Sequence, residues 1–146
     1  MNVNDFISLS EFLLGLPLQP PLVPVPITDL DQDLANVYLT QLCQWSPQAS
    51  YIDSLATTWG QIQQQPAAQW TTLVNAEIMN DANLGLLARQ IILAWYTGFH
   101  PWSSGQQPTP DPANYERALV WLLAQAHPMG VPLSFGYWQY PPGGAT

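Results

Sequence analysis

Fifteen prolines set the limits within which this chain can form regular structure. A proline inside a helix removes an i→i−4 hydrogen bond and collides with the preceding turn. Helices are therefore confined to the intervals between prolines. Five of the fifteen fall between Leu16 and Pro26 and mark residues 17–28 as an extended connector. That connector also carries Leu18, Leu22, Val23 and Val25, which predicts that it lies in a groove rather than in open solvent. Pro47 closes one helical interval, and the polar break from Gln63 to Pro66 closes the next. Pro101, Pro108, Pro110 and Pro112 make a loop of the stretch from His100. Pro128 stops the last helix, and residues 128–146 form an extended, aromatic, Gly/Pro-rich arm.

Between these stops, apolar residues recur at helical spacing and nowhere alternate as in an amphipathic strand pair. The expectation is an all-α, single-domain protein of about six helices, with a first helix in residues 1–16 and a helical core over 29–127. Asn4 or Asp5 caps the first helix, Phe6, Leu9, Phe12 and Leu13 share its face, and Gly15 ends it. Asp29 or Asp31 opens the second, which carries Leu34, Val37, Tyr38 and Leu42 up to Trp45-Ser46-Pro47. The third runs from Ser50 to Gln63 on Ile52, Leu55, Ala56 and Trp59, with Gly60 weakening its second half. The fourth runs from Ala67 to Met79 on Trp70, Leu73, Val74 and Ile78. Asp81 caps the fifth. Its Leu84, Leu87, Ala88, Ile91, Ile92 and Trp95 lie nearly all round, which predicts a buried helix ended by a left-handed Gly98. Asp111-Pro112 begins the sixth, which carries Tyr115, Ala118, Leu119, Leu122 and Leu123. No internal repeat is visible.

A chain of this size can bury a substantial core. Its surface is the unusual part, because charged residues make up 8% of the sequence, against roughly 25% in an ordinary soluble domain. The formal net charge is −8, there is no lysine, and Arg89 and Arg117 are the only strong cations. Nucleic-acid binding is excluded on that count, and attachment to an anionic membrane surface is disfavoured. The longest apolar run, Leu84 to Phe99, is broken by Arg89 and Gln90 and is shorter than the roughly 20 residues of a membrane span. No export leader is expected, since Phe6–Leu16 follows no basic residue and a paired-arginine signal is absent. Cys43 is the sole cysteine, so no internal disulfide or cysteine metal site is possible. It reads as a small buried hydrophobe on a helix, with an intermolecular disulfide as the other reading.

Reactive constellations are missing. His100 and His127 each precede a proline at the end of an element, where an imidazole stabilises helix carbonyls. Neither Glu-x-x-His nor His-x-x-x-His occurs, so no metal site is expected. No glycine-rich loop has dinucleotide or phosphate spacing. Ser103 and Ser134 have no recognisable base, and Asp29, Asp31 and Asp33 read as helix-start carboxylates without a calcium-loop pattern. No catalytic, cofactor-binding or metal-binding residue is therefore assigned. Arg89 and Arg117 lie within apolar helices and need a partner, because an unpaired buried charge is costly. That partner is Glu77, Asp81 or Glu116, or else another subunit. Trp95 and Trp121, at helical spacing, read as core. Tyr137, Trp138 and Tyr140, on a proline-stiffened arm, read as interface anchors.

The segments Leu87-Ala88-Arg89-Gln90-Ile91-Ile92 through Ala94-Trp95-Tyr96-Thr97-Gly98, then Tyr115-Glu116-Arg117-Ala118-Leu119-Val120-Trp121, then Gly136-Tyr137-Trp138 with Pro141-Pro142 carry a resemblance. The opening Phe6-Ile7-Ser8-Leu9-Ser10-Glu11-Phe12-Leu13-Leu14-Gly15 adds to it. Together they resemble the small subunit of membrane-bound FAD-dependent sugar and polyol dehydrogenases, the family of the sorbitol, fructose and glucose enzymes. The resemblance implies a non-catalytic accessory subunit. In such complexes FAD and the chemistry belong to a large subunit of the glucose-methanol-choline type, and a cytochrome c subunit with haem c accepts the electrons. The small subunit binds the large one, supports its maturation and typically carries a twin-arginine leader. That implies the periplasmic side of the inner membrane; without such a leader here, a cytoplasmic location stays open. Some relatives have a cysteine before the tail aromatics that bridges to the large subunit, and Val131-Pro132-Leu133-Ser134-Phe135 has none. The expected interface is made or supported by Arg89, Trp95, Tyr96, Tyr137, Trp138 and Tyr140. The alternative is a self-contained helical protein that binds an apolar ligand between its helices or another protein.

Overall fold

The computed structural model describes residues 1–15, 28–98, 114, 115 and 117–123, with side chains described from residue 33 onward in the second segment and to 121 in the last. The connector, the loop around Pro108 and the C-terminal arm lie outside these residues. Every regular element among them is helical. They are α1 (Val3–Leu14), α2 (Thr28–Trp45), a 3₁₀ turn (Ala49–Tyr51), α3 (Ile52–Gln63), α4 (Ala67–Leu73), a π-helical turn (Val74–Met79), α5 (Leu84–Thr97) and α6 (Leu119–Leu123). The all-α expectation holds.

The helix ends follow from side-chain chemistry. α1 is capped by Asn2, ahead of the expected Asn4 or Asp5. The Asn2 side-chain oxygen accepts the Asp5 N–H at 2.9 Å, and its amide donates to the Asp5 carboxylate at 2.7 Å. This reciprocal pair satisfies a free N–H and sets a negative charge in the first turn. Gly15 ends α1 with φ 64°, its N–H reaching the carbonyls of Glu11 and Phe12. α2 begins at Thr28, which places Asp29 and Asp31 inside its first turn rather than before it. α3 continues through Gly60 to Gln63, so that glycine does not end the helix.

Two differences concern elements. The segment Ala67–Met79 is one continuous rod, but its second half widens into a π turn, closed by the Asn80 N–H bonding to the Asn75 carbonyl at 3.1 Å. The sixth helix is not continuous. Asn114 and Tyr115 are helical, residues 117 and 118 leave the helix, and α6 resumes at Leu119. Its expected start at Asp111-Pro112 lies outside the described residues.

α5 is the hub of the bundle and packs against α1, α3, the π turn and α6. Leu9 of α1, Leu55 of α3, Ile78 of the π turn and Leu87 and Ala88 of α5 are fully enclosed. Each large side chain buried in this way stabilises the fold by roughly 1.5–3 kcal/mol. Phe12, Trp59 and Trp70 tie α1, α3 and α4 together, with ring centroids 5.3, 5.6 and 6.0 Å apart. Tyr38 of α2 meets Trp95 of α5 edge to face at 5.1 Å.

Two glycines permit close backbone approach. A Cβ on Gly98, which ends α5 at φ 67°, would sit 2.6 Å from the Asn114 backbone. One on Gly85 would sit 2.6 Å from the Met79 carbonyl oxygen and 3.2 Å from that of Ile78. The tight reversal from the π turn into α5 therefore depends on Gly85 having no side chain. Cys43 is exposed, which corrects the expectation of a buried thiol. Its neighbour Leu42 continues the buried line of Leu34 and Tyr38, and Cys43 is turned away from that line.

Candidate interaction surface

α5 buries one face only. Leu84, Leu87, Ala88, Ile91, Ala94 and Trp95 point inward. Leu86 and Leu93 remain 44% and 40% exposed, so the expectation of burial all round is corrected. Arg89 is exposed between them, and Tyr96 is half-buried one turn further on. Positions 86, 89, 93 and 96 recur every three or four residues and form a single stripe along the helix.

The sequence offers Arg89 two kinds of partner, Glu77, Asp81 or Glu116 within the fold or else a group on another subunit. Glu116 is outside the described residues, and neither Glu77 nor Asp81 forms an ion pair with Arg89. Its Nη2 instead donates to the Met79 carbonyl at 3.3 Å. Met79 closes the π turn, so the guanidinium sits at the negative end of a helical rod, a favourable place for a cation. Because the side chain is exposed, no buried charge has to be compensated.

The other side of the stripe is held by Gln90. Ser46 Oγ donates to Gln90 Oε1 at 2.8 Å, and Gln90 Nε2 donates to Gln48 Oε1 at 3.1 Å. Ser46 is buried and also accepts the Gln48 backbone N–H at 3.1 Å. These bonds pin the turn after α2 onto α5. Trp45 and Tyr51, half and two-fifths exposed, stand at the two ends of that turn. Among the described residues, Trp45, Tyr51, Leu86 and Leu93 thus flank one hydrogen-bonded node, and the remaining large exposed hydrophobic, Val120, sits on α6. Apolar side chains gathered on a surface mark a place where another molecule binds.

Of the residues expected at an interface, Arg89 and Tyr96 lie on this stripe. Trp95 is enclosed in the core against Tyr38, where it can act only by supporting the helix. Tyr137, Trp138 and Tyr140 lie outside the described residues. Leu86, Leu93, Trp45 and Tyr51 were missed. A signal for the first two was present, because the single charge in α5 marks its solvent side and Leu86 and Leu93 share that side.

The same geometry bears on FAD. A flavin dinucleotide carries a diphosphate, which seeks helix N-termini with free N–H groups. Here three of the described helices start with a carboxylate of their own: Asp5 in α1, Asp53 in α3 and Asp81 just before α5. Asp81 is the clearest case, accepting the Asn83 and Leu84 N–H groups at 2.8 Å each. Those bonds, Leu84's first, hold its carboxyl below the usual carboxylate range. The start of α5, the central helix, is therefore closed to a diphosphate by its own carboxylate. His100, His127, Ser103 and Ser134 lie outside the described residues. Among the described residues no group of three His, Cys, Asp or Glu side chains is placed to hold a metal. None of the described helices is long and apolar enough to cross a membrane.

No curated protein and no solved structure matches the chain. A family model described as membrane-bound, FAD-containing D-sorbitol dehydrogenase matches residues 1–137. With that match covering almost the whole sequence, the chain belongs to the family of the membrane-bound, FAD-containing D-sorbitol dehydrogenase.

Proposed function

We propose that this chain is the non-catalytic small subunit of an FAD-dependent sugar or polyol dehydrogenase. It binds the flavoprotein large subunit and supports that subunit's folding, maturation or export. FAD sits in the large subunit, a cytochrome c subunit takes the electrons, and the complex works at the periplasmic side of the inner membrane. One observation carries this reading. In a chain of an FAD enzyme family, the start of the central helix α5 is occupied by the chain's own Asp81 carboxylate, while the exposed side of the same helix presents Leu86 and Leu93 around Arg89. That combination suits a protein that binds a flavoprotein better than one that binds flavin. The low charge content supports the same reading, since a surface destined for cover needs fewer charges to stay soluble. Tyr137, Trp138 and Tyr140 join the contact in this proposal as rigid aromatic anchors.

The test is expression of the flavoprotein with and without this chain, followed by measurement of bound flavin and dehydrogenase activity. Flavin loading and activity should rise together when both chains are made. Equal loading and equal activity in its absence would remove the proposal.

A further inference from the structure

We infer that the α5 stripe of Leu86, Arg89, Leu93 and Tyr96 is the surface that seats on the flavoprotein, and that the flavoprotein meets Arg89 with a carboxylate inside an apolar collar. The inference rests on the subunit reading above and adds to it the place of contact and the chemistry of the opposing surface.

Charge complementarity identifies the occupant. The chain carries ten acidic residues and two arginines. Arg89 is the one charged side chain among Leu86, Arg89, Gln90, Leu93 and Tyr96, so the stripe itself carries positive charge on a negative molecule. An acidic group on a partner is attracted here and repelled by the carboxylates at the helix starts. Arg89 is also prepared for such a group. One of its N–H groups is committed to the Met79 carbonyl, which holds the guanidinium in place, and its remaining donors suit a carboxylate fork. Gly85 keeps that carbonyl close, because any Cβ there would crowd both Met79 O and Arg89 Nη1. An arginine fixed at the centre of apolar side chains is the composition of a binding hot spot.

A second copy of this chain fits the patch poorly. A two-fold pair sets the same patch against itself. The two Arg89 guanidiniums would then share one apolar contact with no carboxylate between them.

The test measures affinity of the full-length chain for the purified flavoprotein. Arg89→Gln should weaken binding by about tenfold or more and flatten its salt dependence, and Arg89→Lys should recover part of the loss. Leu86→Ser with Leu93→Ser should weaken binding at least as much. The thermal midpoint of the isolated double variant should stay near wild type, since both positions are exposed. Gln61→Ala, on the exposed face of α3, is the control and should bind as wild type. If the wild-type chain binds and the stripe variants bind equally well, the surface is wrong and the subunit reading stands. If the wild-type chain forms no complex, the subunit reading falls and this surface falls with it. Self-association of the wild-type chain that Leu86→Ser abolishes, with flavoprotein binding unchanged, assigns the stripe to a second copy and overturns the inference.

Discussion

Gly60 and Gly85 show how little a residue's identity says until its neighbours are known. Both lie in helices, where glycine costs roughly 0.5–1 kcal/mol relative to alanine. A Cβ on Gly60 would meet nothing within 4 Å, so Gly60→Ala should stabilise the fold by about that amount. A Cβ on Gly85 would lie 2.6 Å from a backbone oxygen that cannot move independently of its helix. Gly85→Ala should therefore destabilise by about 1–3 kcal/mol, the range for overpacking. Chemical denaturation of the two variants should move the midpoint in opposite directions. Asp81 offers a second check at this scale. Its folded-state pKa lies below the ordinary value, so its contribution to stability is present above that value and is lost as pH falls through the folded one. Asp81→Asn keeps an oxygen for the Asn83 and Leu84 N–H groups and loses the charge. Wild type should melt above Asp81→Asn near neutrality, and the gap should close below about pH 4. A gap that stays constant across that range would show that the charge contributes nothing to the cap. Residue-level chemistry of this kind was partly legible beforehand. Gly15, Gly98 and Asp81 announce themselves because a left-handed end or a carboxylate cap depends on local sequence alone. Gly85 and Cys43 do not, because the first depends on which carbonyl approaches and the second on helix phase.

At the scale of elements, apolar periodicity located α1, α2, α3 and α5 and their inward faces, since Leu9, Tyr38, Leu55, Trp59 and Leu87 all fell where helical spacing put them. It failed on α5 in an instructive way. A helix apolar all round is equally consistent with deep burial and with two different neighbours, one in the fold and one outside it. Only the packing of α1, α3 and the π turn around one side decides between these, and it leaves Leu86 and Leu93 uncovered. The π turn was illegible for a related reason. Trp70, Val74 and Ile78 recur every four residues, a spacing that serves an α-helix and a slightly wider turn alike. In the structure the wider turn coincides with the burial of Val74 and Ile78 in the core, which local spacing does not encode. The same turn delivers the Met79 carbonyl to Arg89, so an element without a sequence signature prepares the residue placed at the centre of the proposed contact.

For the whole molecule, two opposing surface properties set its behaviour in isolation. Its net charge of −8 keeps copies apart, while the stripe on α5 and the neighbouring Trp45 and Tyr51 favour contact. Near neutral pH and about 0.1 M salt, repulsion acts over roughly 10 Å and copies should remain separate. As pH falls toward the isoelectric point of about 4.1, carboxylates gain protons and the net charge approaches zero. Repulsion then fades while the apolar stripe persists, because neither Leu86 nor Leu93 titrates. The isolated chain should therefore self-associate as pH is lowered from 7 toward 4, and light scattering at fixed concentration should show a steep onset. Leu86→Ser with Leu93→Ser should move that onset to lower pH or suppress it, and saturation with the flavoprotein should do the same by covering the stripe. An onset unchanged by both would show that association at low pH comes from loss of charge over the whole surface, and the exposed leucines would then carry no special weight in how this chain meets other molecules.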